Sequence, residues 1–432
     1  MAKHLKTFVL GVDGLPCWMW RDFAERGIMP RSRELLDSGT LVPMQSALPE
    51  VSSAAWASIV TGENPGGHNV FGFTDLIDNS YTLAFTSSRT VRAQPFWQRP
   101  NSGPSLIMNV PQTYPAQPLD GIMASGFVAL DLPRAIFPPE QLPVFENADY
   151  SVDADMSLIE TSKETFVAGL RQCLKARCEV LHVLWNHSPW QQMMFVITGT
   201  DRLNHYLWED YEDPTSPYHQ MFLDFYTQVD TEIGRIVDRL DDNTTIIAVS
   251  DHGFGRQQIS VNLNAVLHEH GYLKLKPGER PSYLNMLPET RAFAMDPGRI
   301  YLHRSSRYPH GSVSDDAAPA LLEELRNLLS DYSVEGLRLV DRIESGADVY
   351  SGAFAHRAAD LILMSAENVA LSGRLNVSEL VETTPINGKH TFENSTFFCR
   401  SAMPVTLPST MRVEDVLSVI DQTQASAVRR AA

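Results

Sequence analysis

Short runs of almost wholly apolar residues recur along this chain, and longer amphipathic segments separate them. A strand that is apolar at every position has both faces buried, which is typical of parallel sheets. We predict such strands over residues 7–12, 106–110, 121–124, 193–198, 244–250, 360–364 and 396–400. The clearest helix is predicted over 219–240, where apolar residues recur at steps of three and four. This alternation predicts an α/β fold with a doubly wound, mostly parallel central sheet and helices on both faces.

One stretch, residues 257–350, departs from this alternation because it is richer in proline, arginine and turn sequences such as Lys276-Pro-Gly. We interpret it as an inserted cap subdomain. The flanking parts, 1–256 and 351–420, then form a single main domain, and 421–432 form a flexible tail. A chain of 432 residues can bury a large core without disulfides or structural metals.

The charge balance limits the partners of the protein. The chain has 35 Lys and Arg against 52 Asp and Glu, a net charge of −17. This average field repels nucleic acid and anionic membranes, so we expect neither an architectural role on nucleic acid nor a membrane partner. A small anionic substrate remains compatible with it, because bound metal ions can reverse the local sign.

The cysteines and the first residues favour a cytoplasmic location. The four cysteines show no Cys-x-x-Cys spacing, which suits a reducing compartment. The first apolar run is stopped by Asp13, too early for a signal peptide, and no later run reaches the roughly 18 apolar residues of a membrane span.

Metal-ligating side chains follow several of the predicted strands. Asp13 ends the first strand, Asp251-His252 end the strand at 244–250, and Asp201 and His205 follow the strand at 193–198. In open α/β sheets, ligands bind beyond the carboxyl ends of the strands. His390 precedes the last strand, in a glycine-containing loop. Three carboxylates and three imidazoles form a ligand set for two divalent cations, for which nitrogen and oxygen donors favour Zn²⁺, with Mn²⁺ as competitor.

Ser52 lies where a loop enters an Ala-rich helix, which leaves two interpretations open. A helix N-terminus offers free N–H groups and positive potential to an oxyanion, so a serine there could be a nucleophile. Serine in this position is also a common helix cap.

Six motifs, in their order along the chain, resemble the alkaline phosphatase superfamily, and within it the type I phosphodiesterase/nucleotide pyrophosphatase branch. They are VDGLP from Val12, VSSAAWASIVTGENPGGHNVFGF from Val51, MNVPQTYP from Met108, TDRLNHYLW from Thr200, SDHGFG from Ser250 and GKHTFENS from Gly388. The resemblance implies an alkaline phosphatase-like catalytic domain with the inserted cap. It also implies two metal sites, one formed by Asp201, His205 and His390 and the other by Asp13, Asp251 and His252.

The resemblance further implies that Ser52, rather than Ser53, is both the nucleophile and a metal ligand. The branch usually has threonine at this position, and serine is similar to the alkaline phosphatases themselves. Nucleotide pyrophosphatases often have an asparagine five residues after the histidine that matches His68, where this chain has Phe73. We expect Ser53, Asn69, Phe73 and Trp208 to contribute to substrate binding.

The function implied is hydrolysis of phosphate esters of a small phosphorylated substrate, of the phosphodiesterase/nucleotide pyrophosphatase type, through a covalent phosphoserine and two divalent metal ions. A phosphomonoesterase that acts on a small phosphorylated metabolite is the first alternative. A non-catalytic binding module stabilised by metal is an alternative from another class.

Overall fold

A central mixed sheet organises the fold of this computed structural model, which describes residues 6–100, 102–187 and 189–431, with side chains up to residue 424. The strands are β1 Thr7–Val12, β2 Thr40–Gln45, β3 Thr74–Leu76, β4 Leu83–Phe85, β5 Ser105–Val110, β6 Gly121–Ser125, β7 Ile136–Phe137, β8 Gln192–Ile197, β9 Thr245–Val249, β10 Gly253–Asn262, β11 Ala292–Met295, β12 Arg299–Leu302, β13 Ser333–Val334, β14 Leu337–Arg338, β15 Val340–Ser345, β16 Leu361–Ser365, β17 Asn368–Ser372, β18 Val381–Glu382, β19 Gly388–Thr391, β20 Ser395–Arg400 and β21 Met411–Arg412. The helices are α1 Cys17–Glu25, α2 Pro30–Leu36, α3 Ser52–Thr61, α4 Pro65–His68, α5 Leu142–Glu146, α6 Lys163–His187, α7 Gly199–Glu212, α8 His219–Val237, α9 Leu263–Glu269, α10 Ala318–Asp331, α11 Gly346–Val349 and α12 Asp415–Ala431.

The strand order of the central sheet is β21-β2-β20-β9-β1-β8-β5-β6-β7. The strands from β9 to β6 are parallel, whereas β20 and β7 run antiparallel to their neighbours. β1 is buried along its whole length, with Phe8 and Leu10 on one face and Val9 on the other. Helices α1, α6, α7 and α8 pack on the first face, and α3 and α12 on the second. The predicted doubly wound α/β fold is therefore confirmed.

A second hydrophobic core lies outside the central sheet, where β10, β11, β12, β15 and β16 pack with α9 and α10. The predicted strand at 360–364 exists as β16, but it pairs with β12 and β15 in a separate four-stranded sheet and not in the central sheet. Apolarity alone cannot distinguish the two sheets, because both bury this strand. The domain limits at 257 and 350 stay a prediction.

The last helix, α12, extends through most of the predicted tail at 421–432. Ala432 lies outside the described residues, so the flexibility of the tail stays a prediction. Among the helices that the structure describes, none combines the length and apolarity needed to cross a bilayer.

Candidate functional site

Seven predicted site residues meet at the carboxyl edge of three adjacent parallel strands. β9, β1 and β8 are neighbours in the sheet. Asp13 follows β1, Asp251 and His252 follow β9, and Asp201 and His205 lie on the first turns of α7, the helix after β8. Ser52 is the first residue of α3, and His390 lies on β19, which pairs with β10. They are Asp13, Ser52, Asp201, His205, Asp251, His252 and His390.

Two glycines allow the backbone segments around the site to approach closely. Gly14 has a φ of +65°, and a Cβ on it would lie 3.2 Å from the Cα of Asp201. A Cβ on Gly388 would lie 2.1 Å from the carbonyl oxygen of Asn204, inside van der Waals contact. Larger residues at these positions would therefore push α7 away from β1 and from β19, which carries His390.

Each of the three aspartates has one carboxylate oxygen held by a protein donor. Trp56 donates its indole N–H to Asp13 Oδ2 at 3.2 Å, and Arg202 donates to Asp201 Oδ2 at 2.8 Å. The backbone N–H that follows Asp13 donates to Asp251 Oδ1 at 3.3 Å. The remaining oxygens of Asp13 and Asp251 are buried, and neither has a hydrogen-bond partner within the part of the chain that the structure describes. Buried carboxylate oxygens without a partner are costly, so a cation at this position would relieve the cost.

The hydrogen bonds of the three histidines fix their tautomers. The Nδ1 atoms of His205, His390 and His252 lie 2.8, 2.9 and 3.1 Å from backbone carbonyl oxygens. A carbonyl oxygen only accepts, so each Nδ1 carries the proton and, in the neutral ring, each Nε2 presents a lone pair. Metal-ligating histidines typically use this arrangement.

The Nε2 lone pairs face one another and the aspartates. His205 Nε2 lies 3.0 Å from His390 Nε2, and both are within 3.4 Å of Asp201 Oδ1. His252 Nε2 lies 3.2 Å from Asp251 and 3.7 Å from Asp13. Two neutral imidazoles cannot hydrogen-bond through their lone pairs, so this donor set fits divalent cations. His252 lies within 4.8 Å of possible ligand atoms in two groups, one formed by Asp201 and His390 and the other by Asp13 and Asp251. The sequence did not predict this position between the two groups.

Burial and mutual repulsion shift the pKa values in this cluster. Burial, with the neighbouring Asp251 charge, raises the pKa of Asp13, and burial raises the pKa of Asp251 to about 6. Burial lowers the pKa of His252. Burial also opposes the charged forms of Asp201 and His390, but their charged and hydrogen-bonding partners outweigh the effect of burial. His205 and neighbouring donors lower the pKa of Asp201, and Asp201 raises the pKa of His390. The raised pKa values of Asp13 and Asp251 indicate that, without a bound cation, these two carboxylates lack a balancing positive charge.

Ser52 does not act as a helix cap in the structure. It occupies the first helical position of α3, after Val51, and its side chain makes no capping hydrogen bond. Its Oγ lies 3.3 Å from His252 Nε2, and the residue is only 2% exposed. The N-terminal N–H groups of a fully buried helix thus open towards the metal-ligand cluster, where they favour negative charge.

The four residues expected to bind substrate differ in their surroundings. Ser53 is buried, and its Oγ has no hydrogen-bond partner. The side chain of Asn69 is engaged by Arg357 and by the carbonyl oxygen of Thr90. Phe73 and Trp208 line two different cavities. Their roles in substrate binding stay a prediction.

These two cavities share the lining residues Glu50, Ser365, Lys389 and His390. The large cavity, about 900 Å³, contains Trp18, Trp208 and Phe254 in its wall. The small cavity, about 350 Å³, contains Phe73 and also reaches His205. Space is therefore present on two sides of His390.

The sequence reasoning missed Trp56 and Arg202, the two side chains that anchor Asp13 and Asp201. Trp56 lies one helical turn after Ser52, and Arg202 directly follows Asp201, so proximity in sequence was a usable signal. The further ion pair from Arg202 to Asp153, at 2.8 Å, joins residues 49 positions apart and has no such signal.

Comparisons with known proteins identify the family and the fold of the chain. The family model described as type I phosphodiesterase / nucleotide pyrophosphatase matches residues 7–393. Phosphonoacetate hydrolase from Sinorhizobium meliloti 1021, in complex with phosphonoformate, is 15% identical with a TM-score of 0.64, over 99% of this chain and 96% of that chain. Murine ectonucleotide pyrophosphatase/phosphodiesterase 5, inactive and in complex with AMP, is 13% identical with a TM-score of 0.56, over 98% and 95%. The human protein of that name is 14% identical, also with a TM-score of 0.56.

At these identities the solved structures establish the fold, and the family model establishes the family. No curated protein sequence matches the chain. The expectation of an enzyme is confirmed, and the alternative of a non-catalytic module is set aside. The chain belongs to the type I phosphodiesterase/nucleotide pyrophosphatase family, and it is a metal-dependent hydrolase of phosphoric esters.

Proposed function

We propose that the protein hydrolyses phosphodiesters, with Ser52 as the nucleophile that forms a covalent phosphoserine. The observation that carries this proposal is the position of the Ser52 hydroxyl. It lies at a buried helix N-terminus, 3.3 Å from an imidazole of the metal-ligand cluster. An N-cap serine would instead bond to its own helix.

Two divalent cations fit the donor set, with Asp201, His205 and His390 holding one and Asp13, Asp251 and His252 the other. Zn²⁺ suits these nitrogen and oxygen donors best, and Mn²⁺ is the competitor. When bound, such ions supply Lewis acidity, which lowers the pKa of the serine hydroxyl and neutralises phosphoryl oxygens.

The chain itself supplies orientation and charge stabilisation. Without a cation, Ser52 Oγ donates to the Nε2 lone pair of His252, because Nδ1 holds the proton; a bound cation would take that lone pair and leave the Oγ proton to pass to solvent. In the displacement, the bond from Oγ to phosphorus forms, the bond from phosphorus to the leaving oxygen breaks, and the leaving oxygen takes up a proton from water. Water then attacks the phosphoserine, so the bond from phosphorus to Oγ breaks, a phosphate monoester is released and the Ser52 hydroxyl regains its proton. The first N–H groups of α3, at Ser52 and Ser53, are placed to bind the charge that develops on a phosphoryl oxygen.

A diester fits the surroundings of the site better than a monoester. A diester carries two substituents, and the two cavities that share His390 offer space for both. A monoester dianion needs additional positive charge, yet the cationic side chains beside the metal-ligating residues already bind other groups. Arg202 binds Asp201 and Asp153, and Lys389 donates to Ser365 Oγ and to the carbonyl oxygens of Ala366 and Val369.

Two features of the substrate and setting follow as parts of the proposal. The partner is a small phosphorylated molecule, whose negative charge bound metal ions would balance locally within a chain of net charge −17. All four cysteines are buried free thiols, which supports a cytoplasmic location.

The test compares metal content and turnover in the wild type and Ser52→Ala. We expect about two Zn²⁺ or Mn²⁺ per chain, faster hydrolysis of bis-p-nitrophenyl phosphate than of p-nitrophenyl phosphate, and loss of both activities in the variant with its metal retained. Undiminished activity of Ser52→Ala would refute the nucleophile, and a preference for the monoester would favour the phosphatase alternative.

A further inference from the structure

We propose that the small cavity binds an uncharged, apolar substituent of the phosphodiester, such as an aryl or short alkyl group. The inference rests on the proposed function, because it assumes that a phosphoryl group binds at the metal-ligand cluster. It goes further by assigning a chemical class to one of the two substituents.

The position of the cavity links it to the reacting group. Its wall includes His205 and His390, two of the imidazoles that face Asp201. It also includes Val51, the residue before Ser52. A group that extends from phosphorus into this space therefore stays attached to a phosphoryl centre held at the site.

The wall exposes more apolar than polar surface to the cavity, although it includes the uncharged polar residues Thr74, Gln257 and Ser365. The apolar side chains are Val51, Phe73, Pro297, Leu363, Ala370, Leu371 and Ile386. Burying apolar surface in such a cavity is favourable, whereas a charged group would lose its hydration there without a matching partner.

The charged residues of the wall disfavour an anionic substituent. Glu50 and Asp296 carry negative charge and would repel it. Lys389 is the cation of the wall, but its ammonium donates to Ser365 Oγ at 2.6 Å and to the carbonyl oxygens of Ala366 and Val369 at 2.6 and 2.8 Å. An ammonium has three protons, so none remains to bind a carboxylate or a second phosphate.

The carboxylates of Asp296 and Glu50 also offer little attraction to a cationic substituent. Asp296 lies exposed at the rim and accepts a hydrogen bond from the backbone N–H of Gly373. Glu50 shares the wall with Lys389, whose ammonium would repel a cationic substituent. An uncharged apolar group is the class that the whole wall accepts.

The experiment measures binding of four phosphonates to the metal-loaded wild type by isothermal titration calorimetry. Propylphosphonate, 2-carboxyethylphosphonate and 2-aminoethylphosphonate have substituents of similar length, and methylphosphonate gives the baseline. We expect propylphosphonate to bind about tenfold more tightly than methylphosphonate, because two more methylene groups are buried. The two charged ligands should bind no more tightly than methylphosphonate. Tighter binding of either charged ligand than of propylphosphonate would overturn the inference.

Three variants locate the effect. Ala370→Trp fills the small cavity and should abolish the advantage of propylphosphonate while leaving methylphosphonate binding within about twofold. Ala353→Trp is the matched control, because Ala353 is exposed and lines neither cavity. Leu371→Lys adds a free cation to the wall and should make 2-carboxyethylphosphonate the tightest ligand. Equal effects of both tryptophan variants would contradict the assignment.

The outcomes also separate this inference from the proposed function. If bis-p-nitrophenyl phosphate is hydrolysed but the four phosphonates bind equally, the inference fails and the proposed function stands. If the wild type neither hydrolyses the diester nor binds any phosphonate, both fail.

Discussion

The hydrogen bond from Trp56 to Asp13 allows a quantitative test of the metal centre. Both residues are fully buried, and the indole N–H is 3.2 Å from Asp13 Oδ2, while Oδ1 has no partner. Trp56→Phe keeps an aromatic ring in the core but removes the donor. A hydrogen bond to an ionised group contributes about 1.5–3 kcal/mol. Since about 1.4 kcal/mol is a factor of ten, we expect metal affinity at this site to fall roughly ten- to a hundredfold.

Trp97→Phe is the control for the lost indole volume. Trp97 is 3% exposed and belongs to the same hydrophobic cluster as Trp56, but its N–H has no hydrogen-bond partner among the described residues. Zn²⁺ affinity would be measured by competition with a chromogenic chelator at pH 7.5, and turnover at saturating Zn²⁺. The variant should recover most of its turnover once it is loaded. If both tryptophan variants lose Zn²⁺ affinity equally, Trp56 acts through packing and the reasoning is wrong.

Three further changes test the anchors of the site. Arg202→Met removes a donor that helps to lower the pKa of Asp201, so the pKa should rise and Zn²⁺ should dissociate at a higher pH during acid titration; an unchanged titration would contradict this. Gly388→Ala places a Cβ against Asn204, so we expect about 1–3 kcal/mol lower stability and reduced bound metal, measured by urea unfolding and metal analysis, with Gly255→Ala as the milder control. Burial lowers the pKa of Lys389 to about 8, below the usual lysine value, so between pH 8 and 10 the unfolded chain holds a proton that the native chain has released. Rising pH should then stabilise the wild type relative to Lys389→Met by up to about 1.4 kcal/mol per pH unit in urea unfolding, and parallel curves would disprove the shift.

The central sheet could be predicted because its strands carry the signal in their own residues. The predicted strand at 7–12 coincides with β1, which is buried at every position. The helix predicted over 219–240 ends at Val237, since the N–H groups of Arg239 and Leu240 bond three residues back in a tighter last turn. β2 was not predicted, because it contains Pro43 and is largely exposed at its start, with a burial pattern unlike the inner strands.

The candidate site could be predicted from the sequence for a related reason. Parallel strands end at one edge, so carboxylates that follow several strands can be expected to meet there. The contacts that hold these metal-ligating side chains could not be predicted in the same way. Asp153 reaches Arg202 from a loop, and Glu50 offers its carbonyl to His390 across 340 positions. Such contacts depend on how loops pack after the sheet has formed, and no local pattern encodes them.

The metal ligands come from segments that differ in local stability. Asp13 and Asp251 follow strands at the centre of the main sheet, whose amides we expect to exchange with solvent only when the whole domain unfolds. His390 lies on β19, a four-residue strand whose ladder partner within the described residues is β10, and we expect this strand to open locally at a lower free energy. A cation held by Asp201 and His390 binds only the closed arrangement, so at a hundredfold excess over its dissociation constant it would raise the opening free energy of β19 by about 2.7 kcal/mol. The ion would thus join β19 to the cooperative unit of the central sheet.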